Sequence, residues 1–391
     1  MGGQSARRGP AMTAVTDFAA SLPTPACAWI YSPARLADRL EHLREALAGH
    51  TILYAMKACA NPAVLAAAVE AADGIECASA NELATAAEAG ASRLALSGPA
   101  KTTREFERAA NTEAPMCVHI ESVRELDGLA EAGYTGPVAL RVNRGPALPG
   151  THRMTGEATA FGLDPRDVPA AAAHAADLGL DVTGFHMHAV SNCLDADAYA
   201  GHVHACLAWS HQAARQLGID LRYVNVGGGL GADPRGEVID LGALARALEG
   251  LDTGGAELVF EPGRYLAAAA GWYLTEIVDL KTVAGQAFAL VRGGTHHLRL
   301  PAAWGYSHPF TVVAVDRWAH RWPRPRFDEV DLRVCGELCT PRDVLNAGQR
   351  VASVAVGDRL VFADAGAYGW EISHDRFLDH PRPLQVVIDG S

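Results

Sequence analysis

The chain has 391 residues, 49% of them hydrophobic, and a formal net charge of -12 at pH 7. This length permits one large domain and a smaller one, and an acidic chain without a basic stripe is not suited to nucleic acid or to an anionic membrane. The eight cysteines lack disulfide-type spacing, and the sequence has neither an apolar signal core nor a membrane-length segment, so we expect a cytoplasmic protein with reduced thiols.

We predict that residues 1–22 form a disordered leader. From residue 33 to 275 short apolar runs alternate with stretches in which alanine and leucine recur at helical spacing. The helical stretches include 61–72, 80–90, 101–111 and 165–178. The eight strand candidates are 51–57, 74–79, 93–98, 115–120, 137–143, 182–190, 223–227 and 257–261. Eight successive β/α units predict an α/β protein built on a closed (β/α)8 barrel, and a doubly wound open sheet is the alternative that the same alternation permits.

After Trp272 the pattern changes to an alternation of apolar and polar residues. It recurs in the segments 287–292, 331–335 and 358–363, which turn residues separate. This alternation predicts an antiparallel β domain over residues 276–391. Residues 23–32, with the apolar run ACAWIY, are expected to join that domain.

Polar and charged residues cluster where the predicted barrel strands end, which is where barrel enzymes place catalytic residues. A lysine within an apolar strand, as at Lys57, needs a partner or a lowered pKa and is a candidate for Schiff-base chemistry. Glycines after the seventh strand and an arginine after the eighth can bind a phosphate, although a triple glycine is also typical of a tight turn. Together these features point to pyridoxal phosphate. The strand-end residues are Lys57, Glu76, Asn143, His186, His188, Ser191, Gly227, Gly228, Gly229, Glu261 and Arg264.

Seven motifs occur in the order found in a known family and span most of residues 25–380. They are YAMKACANPAVL (54–65), ECASANEL (76–83), HMHAVSN (186–192), VGGGLG (226–231), EPGR (261–264), GELCTPRDVL (336–345) and DAGAYG (364–369). On these motifs the chain resembles the fold-type III decarboxylases of ornithine, arginine and diaminopimelate. The resemblance implies an alanine-racemase-like barrel, bound pyridoxal 5'-phosphate and a small-molecule substrate derived from an amino acid.

The resemblance also implies a role for each matching residue. Lys57 is expected to hold the cofactor covalently, His188 to stack on its ring, and Glu261 to pair with the ring nitrogen. Further cofactor contacts are expected from Glu76, Ser191, Gly227, Gly228, Gly229, Gly263, Arg264 and Tyr368.

Cys339, Asp343 and Tyr368 match residues of the β domain that complete the site of the neighbouring subunit in the family. The resemblance therefore implies a homodimer with shared active sites. Either Cys339 or Lys57 is expected to return a proton to the substrate carbon.

Three other interpretations are open at this point. An amino-acid racemase shares the fold, but the racemases that the chain resembles less closely place an arginine near the ring nitrogen, where the EPGR motif supplies an acid. A non-catalytic cofactor-binding regulator typically lacks the second domain. His186 and His188 share a strand face, but no third ligand is evident, so we expect no metal.

Departures from the family indicate the substrate. The residue after Cys339 is an acid in the diaminopimelate and ornithine enzymes and is Thr340 here. A distal ammonium group would therefore lack its anionic partner. Diaminopimelate enzymes grip a distal carboxylate with an arginine at the position that holds Leu300 here, with Arg299 adjacent.

Segments 293–310 and 366–383 look most like decarboxylases of carboxylate siderophore pathways, which act on citrate-conjugated amino acids such as citryl-diaminopropionate. A rim rich in histidine and arginine suits the carboxylates of such a substrate. We expect this rim to consist of His296, His297, Arg299 and His308, with Thr340 and Asp343 also facing the substrate. A diaminopimelate, ornithine or lysine decarboxylase is the alternative.

Overall fold

The structure is a computed structural model and describes residues 10–144, 150, 152–153, 158–318 and 320–388. In this part of the chain the helices are α1 Pro10–Ser21, α2 Pro33–Ala46, α3 Pro62–Ala71, α4 Ala80–Glu88, α5 Thr103–Ala110, α6 Val123–Glu131, α7 Val168–Asp177, α8 Ala196–Leu217, α9 Leu241–Ala247, α10 Arg264–Ala267 and α11 Leu300–Trp304. None of these helices combines the length and the apolar composition that crossing a membrane requires.

The strands of the same described residues are β1 Cys27–Tyr31, β2 Thr51–Ala55, β3 Gly74–Cys77, β4 Leu94–Leu96, β5 Met116–Ile120, β6 Pro137–Arg141, β7 His152–Arg153, β8 Asp181–His186, β9 Val190–Ser191, β10 Tyr223–Asn225, β11 Glu257–Phe260, β12 Gly271–Val283, β13 Gln286–Val291, β14 Thr311–Val313, β15 Arg326–Cys335, β16 Val344–Ala355, β17 Arg359–Phe362 and β18 Leu384–Val387.

The chain divides into two compact units. The barrel unit contains Ala37–Asp233 and Glu237–Leu266, and the sheet unit contains Met1–Leu36, Pro234–Gly236 and Ala267–Ser391.

Eight parallel strands of the barrel unit close on themselves in the order β10, β11, β2, β3, β4, β5, β6, β8. All residues of β3 and β5 are buried. Burial on both faces is expected when helices cover the outside of a parallel barrel and side chains fill its interior. The prediction of a closed (β/α)8 barrel is confirmed, and the open-sheet alternative is wrong.

Side-chain caps start the helices directly after the strands. Asn61 accepts a hydrogen bond from the Ala63 N–H at 3.0 Å, with Pro62 in the first turn of α3. Ser79 accepts one from the Glu82 N–H at 3.2 Å at the start of α4. Such caps satisfy N–H groups that the first helical turn leaves free. They fix the points at which the chain leaves the barrel mouth, the end of the barrel where the strands finish.

Seven of the eight predicted barrel strands end one to four residues earlier than the sequence indicated, as the ends near Lys57 and His188 illustrate. β2 ends at Ala55, and Lys57 lies in the 3-10 turn Met56–Ala58, which the bond from the Cys59 N–H to the Met56 carbonyl closes at 3.1 Å. β8 ends at His186, and His188 follows it. Apolar alternation continues past both points, so the pattern alone did not show where the strand ladders stop.

The sheet unit has the strand order β14, β17, β12, β13, β15, β16, with β1 also paired to β12 and to β18. Most pairs are antiparallel, as predicted. Two pairs, β13 with β15 and β1 with β18, are parallel, so the sheet is mixed rather than purely antiparallel.

The prediction of a disordered leader over residues 1–22 is wrong for Pro10–Ser21, which form α1. Val15 and Ala19 are buried on one face of this helix and pack in one cluster with Ile30 and Trp272. The apolar face of α1 covers sheet residues that would otherwise meet water, and this burial orders it. Residues 1–9 lie outside the described part of the chain.

Candidate active site

Lys57 and Glu76 form an ion pair at the barrel mouth. The Glu76 side chain is fully buried at the end of β3, whereas 43% of the Lys57 side chain is exposed. Burial raises the pKa of Glu76 above its ordinary value, and the Lys57 ammonium opposes that rise. The lysine therefore has an acidic partner on one side and access from solvent on the other, as an amine that reacts with a carbonyl compound requires.

Glu261 follows β11 and is buried. Asn225 Nδ2 donates a hydrogen bond to Glu261 Oε1 at 2.7 Å, and the Gly227 N–H donates to Asn225 Oδ1 at 2.8 Å. One amide side chain thus ties the carboxylate to the glycine loop, residues 227–229. Sequence reasoning selected Glu261 and the glycines but missed Asn225, which lies within the predicted strand 223–227 and ends the observed strand β10.

The three glycines are required by close contacts. A Cβ on Gly227 would collide with the ring of His188, and on Gly228 or Gly229 with the carbonyl oxygens of Glu261 or Val190. Gly227 and Gly229 also have positive φ angles of 71° and 102°. The loop therefore brings backbone N–H groups nearer to the barrel mouth than any other residue type allows.

His188 is held beside this loop. The Gly228 N–H donates to His188 Nδ1 at 3.1 Å. Burial, with the cation of Arg141 as a lesser cause, lowers the pKa of His188 well below its ordinary value. The ring is accordingly neutral, with its proton on Nε2.

Hydrogen bonds between loops bring the other predicted cofactor residues to the same end of the barrel. The Cys193 N–H donates to the Gly229 carbonyl at 2.8 Å, and the Glu261 N–H donates to the Gly227 carbonyl at 2.9 Å. These bonds place the segments that carry Ser191 in β9, and Gly263 and Arg264 at the start of α10, beside the glycine loop. The Ser191 side chain is half-buried and that of Arg264 is buried.

A buried charge network that sequence reasoning missed borders the site. Arg141, at the end of β6, donates to Glu121 Oε1 at 2.5 Å, and Lys101 pairs with Glu125 at 3.0 Å. Glu125 also accepts from the Glu121 N–H at 2.8 Å. The argument that singled out Lys57, a charge at the end of an apolar strand, applies equally to Arg141 and could have found it.

In the sheet unit, Cys339 is exposed and Thr340 is half-buried. Asp343 is buried and accepts hydrogen bonds from the Thr295 N–H (2.7 Å), the Thr295 hydroxyl (2.8 Å) and the Leu338 N–H (2.8 Å). Both oxygens of Asp343 are therefore used by the chain itself. We conclude that Asp343 shapes the loop that carries Cys339.

Tyr368 lies in the left-handed region with φ 56°, which is uncommon for a bulky side chain. A Cβ on the neighbouring Gly366 would collide with the carbonyl of Ala267, and on Gly369 with the ring of Trp29. The DAGAYG motif is thus a tightly packed turn that imposes an uncommon conformation on its tyrosine.

The predicted rim is wrong in part. Arg299 is exposed, but the side chains of His296, His297 and His308 are 0% exposed. The rings of His296 and His297 lie 3.9 Å apart, and Glu337 Oε1 lies 3.6 Å from His296 Nε2. The loop after β13 turns these histidines inward, where ring contacts replace water, so they do not form a surface rim.

Asn143, another of the predicted strand-end residues, donates from Nδ2 to the Thr159 hydroxyl at 2.9 Å.

The barrel residues fit pyridoxal phosphate. They supply an accessible amine with a buried acid beside it, a second buried carboxylate and a neutral imidazole. They also supply a glycine loop whose backbone lies too close to its neighbours for any residue that has a Cβ. Phosphate binding needs backbone N–H groups and a cation, and a pyridine nitrogen is kept protonated by a nearby carboxylate.

Residues 34–268 match the family model described as the pyridoxal-binding domain of pyridoxal-dependent decarboxylases. The chain is 33% identical over 381 residues to 2-[(L-alanin-3-ylcarbamoyl)methyl]-2-hydroxybutanedioate decarboxylase of Staphylococcus aureus, covering 93% of this chain and 94% of that one. It is 34% identical over 389 residues to diaminopimelate decarboxylase of Deinococcus radiodurans, covering 96% and 93%.

A crystal structure of a protein from Aquifex aeolicus superposes with a TM-score of 0.81 at 27% identity, covering 96% of this chain and 89% of that one. The expected fold class, cofactor and reaction class are confirmed. The chain therefore belongs to the pyridoxal-dependent decarboxylases, and it is a carboxy-lyase of fold type III that uses pyridoxal 5'-phosphate.

Proposed function

We propose that the enzyme decarboxylates the amino-acid end of a citrate-conjugated substrate, such as citryl-diaminopropionate, in carboxylate siderophore biosynthesis. The observation that carries this proposal is the charge of residues 338–342, the Cys339 loop. Arg342 is the one charged residue of this loop, and Thr340 stands where an acid is expected for a diamine substrate. A loop with a cation and no anion suits a substrate whose distal end is anionic.

Neighbouring charges support the same preference. Arg342 is exposed, and the adjacent acid Glu337 is already paired with Arg292. Arg299 is a second exposed cation, with Nη1 3.1 Å from Nδ1 of His374. Partial burial and the positive charge of Arg299 lower the pKa of His374. This histidine is therefore uncharged at neutral pH and does not compete with Arg299 for an anion.

The Staphylococcus aureus relative supports the substrate class. Its name describes an alanine unit joined through an amide to a hydroxybutanedioate, so the end distal to the amino acid carries carboxylates. Arg299 and Arg342 are exposed cations suited to bind such carboxylates. His296 and Asp343, which the sequence placed among the substrate contacts, are not part of this proposal because the chain itself buries them.

The barrel residues would divide the catalytic work. Bound pyridoxal phosphate supplies the electron sink for the pair released with carbon dioxide. Lys57 would hold the cofactor covalently, and Glu261 would keep a proton on the ring nitrogen. Lys57 or Cys339 then returns a proton to the α-carbon.

Binding of the phosphate and of the ring would fall to the remaining site residues. Ser191, Gly263, Arg264 and the Gly229 N–H would hold the phosphate, and Gly227 and Gly228 would let the backbone approach it, because their own N–H groups already bond to Asn225 and His188. His188 presents the flat face of a neutral ring to the cofactor, and Glu76 balances the charge of Lys57. Tyr368 reaches the cofactor of a neighbouring subunit.

A homodimer with shared active sites is part of the proposal. Cys339 and Tyr368 match family residues that serve the neighbouring subunit. In this account, each active site takes Lys57 from one subunit and Cys339 from the other.

A second candidate is a decarboxylase of diaminopimelate or of ornithine or lysine. The 34% identity to diaminopimelate decarboxylase of Deinococcus radiodurans favours it. Thr340 and Leu300 count against it, because a diamino acid would find no acid after Cys339 and no arginine at position 300.

The test is carbon dioxide release from citryl-diaminopropionate, free diaminopropionate, diaminopimelate, lysine and ornithine. We expect kcat/KM for the citryl conjugate to exceed that for each free amino acid by roughly 10- to 100-fold, the range set by losing hydrogen bonds to charged groups. Activity confined to diaminopimelate or another free diamino acid would overturn the proposal. The Lys57→Ala variant serves as the blank for spontaneous carbon dioxide release.

A further inference from the structure

Two buried histidines lie beneath Glu261. His119 is in β5 and His186 ends β8, and their side chains are 0% and 1% exposed. Their rings stack with centroids 4.2 Å apart and an angle of 14° between the planes. The family resemblance assigned no role to either residue. Both nevertheless lie beside Glu261.

His119 is fixed at both ring nitrogens. Nδ1 lies 2.9 Å from the Ser97 hydroxyl, and Nε2 lies 3.0 Å from the Tyr223 hydroxyl. Asn225 Nδ2 donates to that same tyrosine hydroxyl at 2.7 Å as well as to Glu261. The ring of His119 is therefore a rigid platform connected to the carboxylate through two side chains.

His186 differs from its neighbour. Among the described residues neither of its ring nitrogens makes a hydrogen bond, although Nε2 lies 3.3 Å from Glu261 Oε2. Buried polar atoms are almost always bonded, so the unbonded nitrogens of His186 call for an explanation, and a functional role is one. Glu261 Oε2 is an acceptor that a proton on Nε2 can reach.

The stacking does not suit a metal ion. Ligand atoms of His119, His186 and Glu261 lie within 4.8 Å of one another. The lone pairs of an imidazole lie in its plane, so two nearly parallel, stacked rings point side by side and do not converge on one tetrahedral centre.

Both rings are neutral at physiological pH. Burial is the main reason that the pKa of each lies well below its ordinary value. For His186 the cations of Arg141 and Lys57 lower the pKa further. A neutral imidazole has one N–H, which can orient a carboxylate without cancelling its charge.

We propose that His186 is a positioning residue for Glu261, donating its Nε2–H to Oε2 in the cofactor-loaded enzyme, with the stacked ring of His119 holding it in place. Asn225 and His186, which lie on different strands, then each donate a hydrogen bond to one oxygen of the carboxylate. The carboxylate stays ionised and oriented, and the protonated ring nitrogen keeps its partner. This inference rests on the proposed role of Glu261 at the ring nitrogen.

The first test needs no substitution. In holoenzyme labelled with 15N-histidine, NMR should show His186 as the neutral tautomer with its proton on Nε2 and with an N–H proton shifted downfield by a hydrogen bond. A proton on Nδ1 would overturn the proposal.

The second test measures protonation of the cofactor ring nitrogen. Enzymes reconstituted with ring-15N pyridoxal phosphate report protonation of the ring nitrogen by its 15N shift. His186→Phe keeps the stacked ring but removes the donor, and we expect a ring nitrogen that is partly deprotonated at neutral pH. We also expect kcat lower by about tenfold, with a much smaller change in KM, as for loss of one hydrogen bond to a charged group.

Two further variants separate positioning from packing. His186→Gln restores an N–H at similar reach, so it should recover the wild-type 15N shift and most of kcat. His202→Phe removes another buried histidine, whose Nε2 lies near the Met187 carbonyl at 3.3 Å, and should leave the ring-nitrogen shift unchanged. A wild-type shift in His186→Phe, or equal loss in all three variants, would overturn the proposal.

Glu261→Gln distinguishes a failure of the role proposed for Glu261 from a failure of the role proposed for His186. If this variant leaves the ring nitrogen protonated, the proposed role of Glu261 fails. If it deprotonates the nitrogen while His186→Phe does not, Glu261 keeps its role and only the role of His186 fails.

Discussion

At the scale of single residues, the proposed function assigns to the Cys339 loop the choice of the distal charge that the enzyme accepts. An unpaired ammonium in a partly buried site costs several kcal/mol in order of magnitude, and Thr340 offers it no anion. Arg299 and Arg342 instead offer donors to carboxylates. Selectivity should therefore change when the charge at these positions changes.

Thr340→Glu places an anion beside the distal end of the substrate. We expect kcat/KM for citryl-diaminopropionate to fall by roughly tenfold, because a like charge is introduced, and that for free diamino acids to rise. Thr340→Ser, which stays neutral, is the matched control and should keep the wild-type ranking. A Thr340→Glu enzyme with unchanged ranking would contradict selection by charge at this loop.

Arg299→Ala should raise KM for the carboxylate-bearing substrate by roughly fivefold and leave KM for a small neutral amino acid nearly unchanged. The difference should shrink at high salt, because screening weakens exposed charge pairs. Arg326→Ala, which removes an exposed arginine paired with Asp328, should alter neither substrate. Equal effects of Arg299→Ala on KM for both substrates would show that this arginine does not distinguish substrates by their charge.

Burial of His297 should make the stability of the fold depend on pH. Burial, and then the charge of His296, lower the pKa of His297 from 6.5 to about 3. The unfolded chain binds a proton at this ring below about pH 6.5, whereas the folded chain does so only near pH 3. His297 therefore makes stability fall as the pH drops through this window.

We expect the free energy of unfolding, measured with urea, to be lower at pH 5 than at pH 7. His297→Gln should make this dependence shallower, because the variant loses one of the buried histidines whose proton binding differs between the folded and unfolded states. His42→Gln, at an exposed histidine, should leave the slope unchanged. Identical slopes in wild type and His297→Gln would contradict the role given to burial.

At the scale of elements, α1 is a structural part of the sheet unit. Val15 lies at 0% exposure on its inner face, whereas Ala14 is exposed on the same helix. Val15→Asp should lower the free energy of unfolding by about 3 kcal/mol, because it buries a carboxylate without a partner. Ala14→Asp should change it by less than about 0.5 kcal/mol. Similar stability of the two variants in urea unfolding would show that α1 does not hold the sheet.

The barrel could be predicted because its strands are short, apolar and regularly spaced between alanine-rich helices. The 3-10 turn at Lys57 and the parallel pairing of β13 with β15 could not, because neither leaves a periodicity in the sequence. The α1 helix was missed for a related reason. Its order comes from packing against residues distant in sequence, such as Trp272.

The candidate site was found where residue chemistry is unusual for its position, as at Lys57, Glu261 and the glycine loop. Asn225 and His119 were not found, because an amide and a histidine inside apolar strands have ordinary structural explanations until their partners are known. The expected histidine rim failed because the sequence shows which residues occur in a loop but not which way they face.

At the scale of the whole molecule, shared active sites can be tested with mixed subunits. With Cys339 as the proton donor, Lys57→Ala and Cys339→Ala chains are each expected to be inactive or nearly so. After mixing, half of the sites in a hybrid dimer would combine an intact lysine with an intact cysteine. We expect mixed samples to recover up to about one quarter of wild-type activity when subunits exchange at random. No recovery, with exchange demonstrated by mass spectrometry, would argue for a site contained in one chain.

The central claim is that this chain is a decarboxylase whose cofactor is carried by Lys57. Borohydride reduction of the holoenzyme followed by peptide mass spectrometry tests it most directly. We predict one pyridoxyl-modified lysine, Lys57, with loss of the visible absorbance and of carbon dioxide release in Lys57→Ala, while Lys281→Ala, at an exposed lysine, retains both. A reduced adduct on another lysine, or carbon dioxide release from Lys57→Ala at the wild-type rate, would contradict the account.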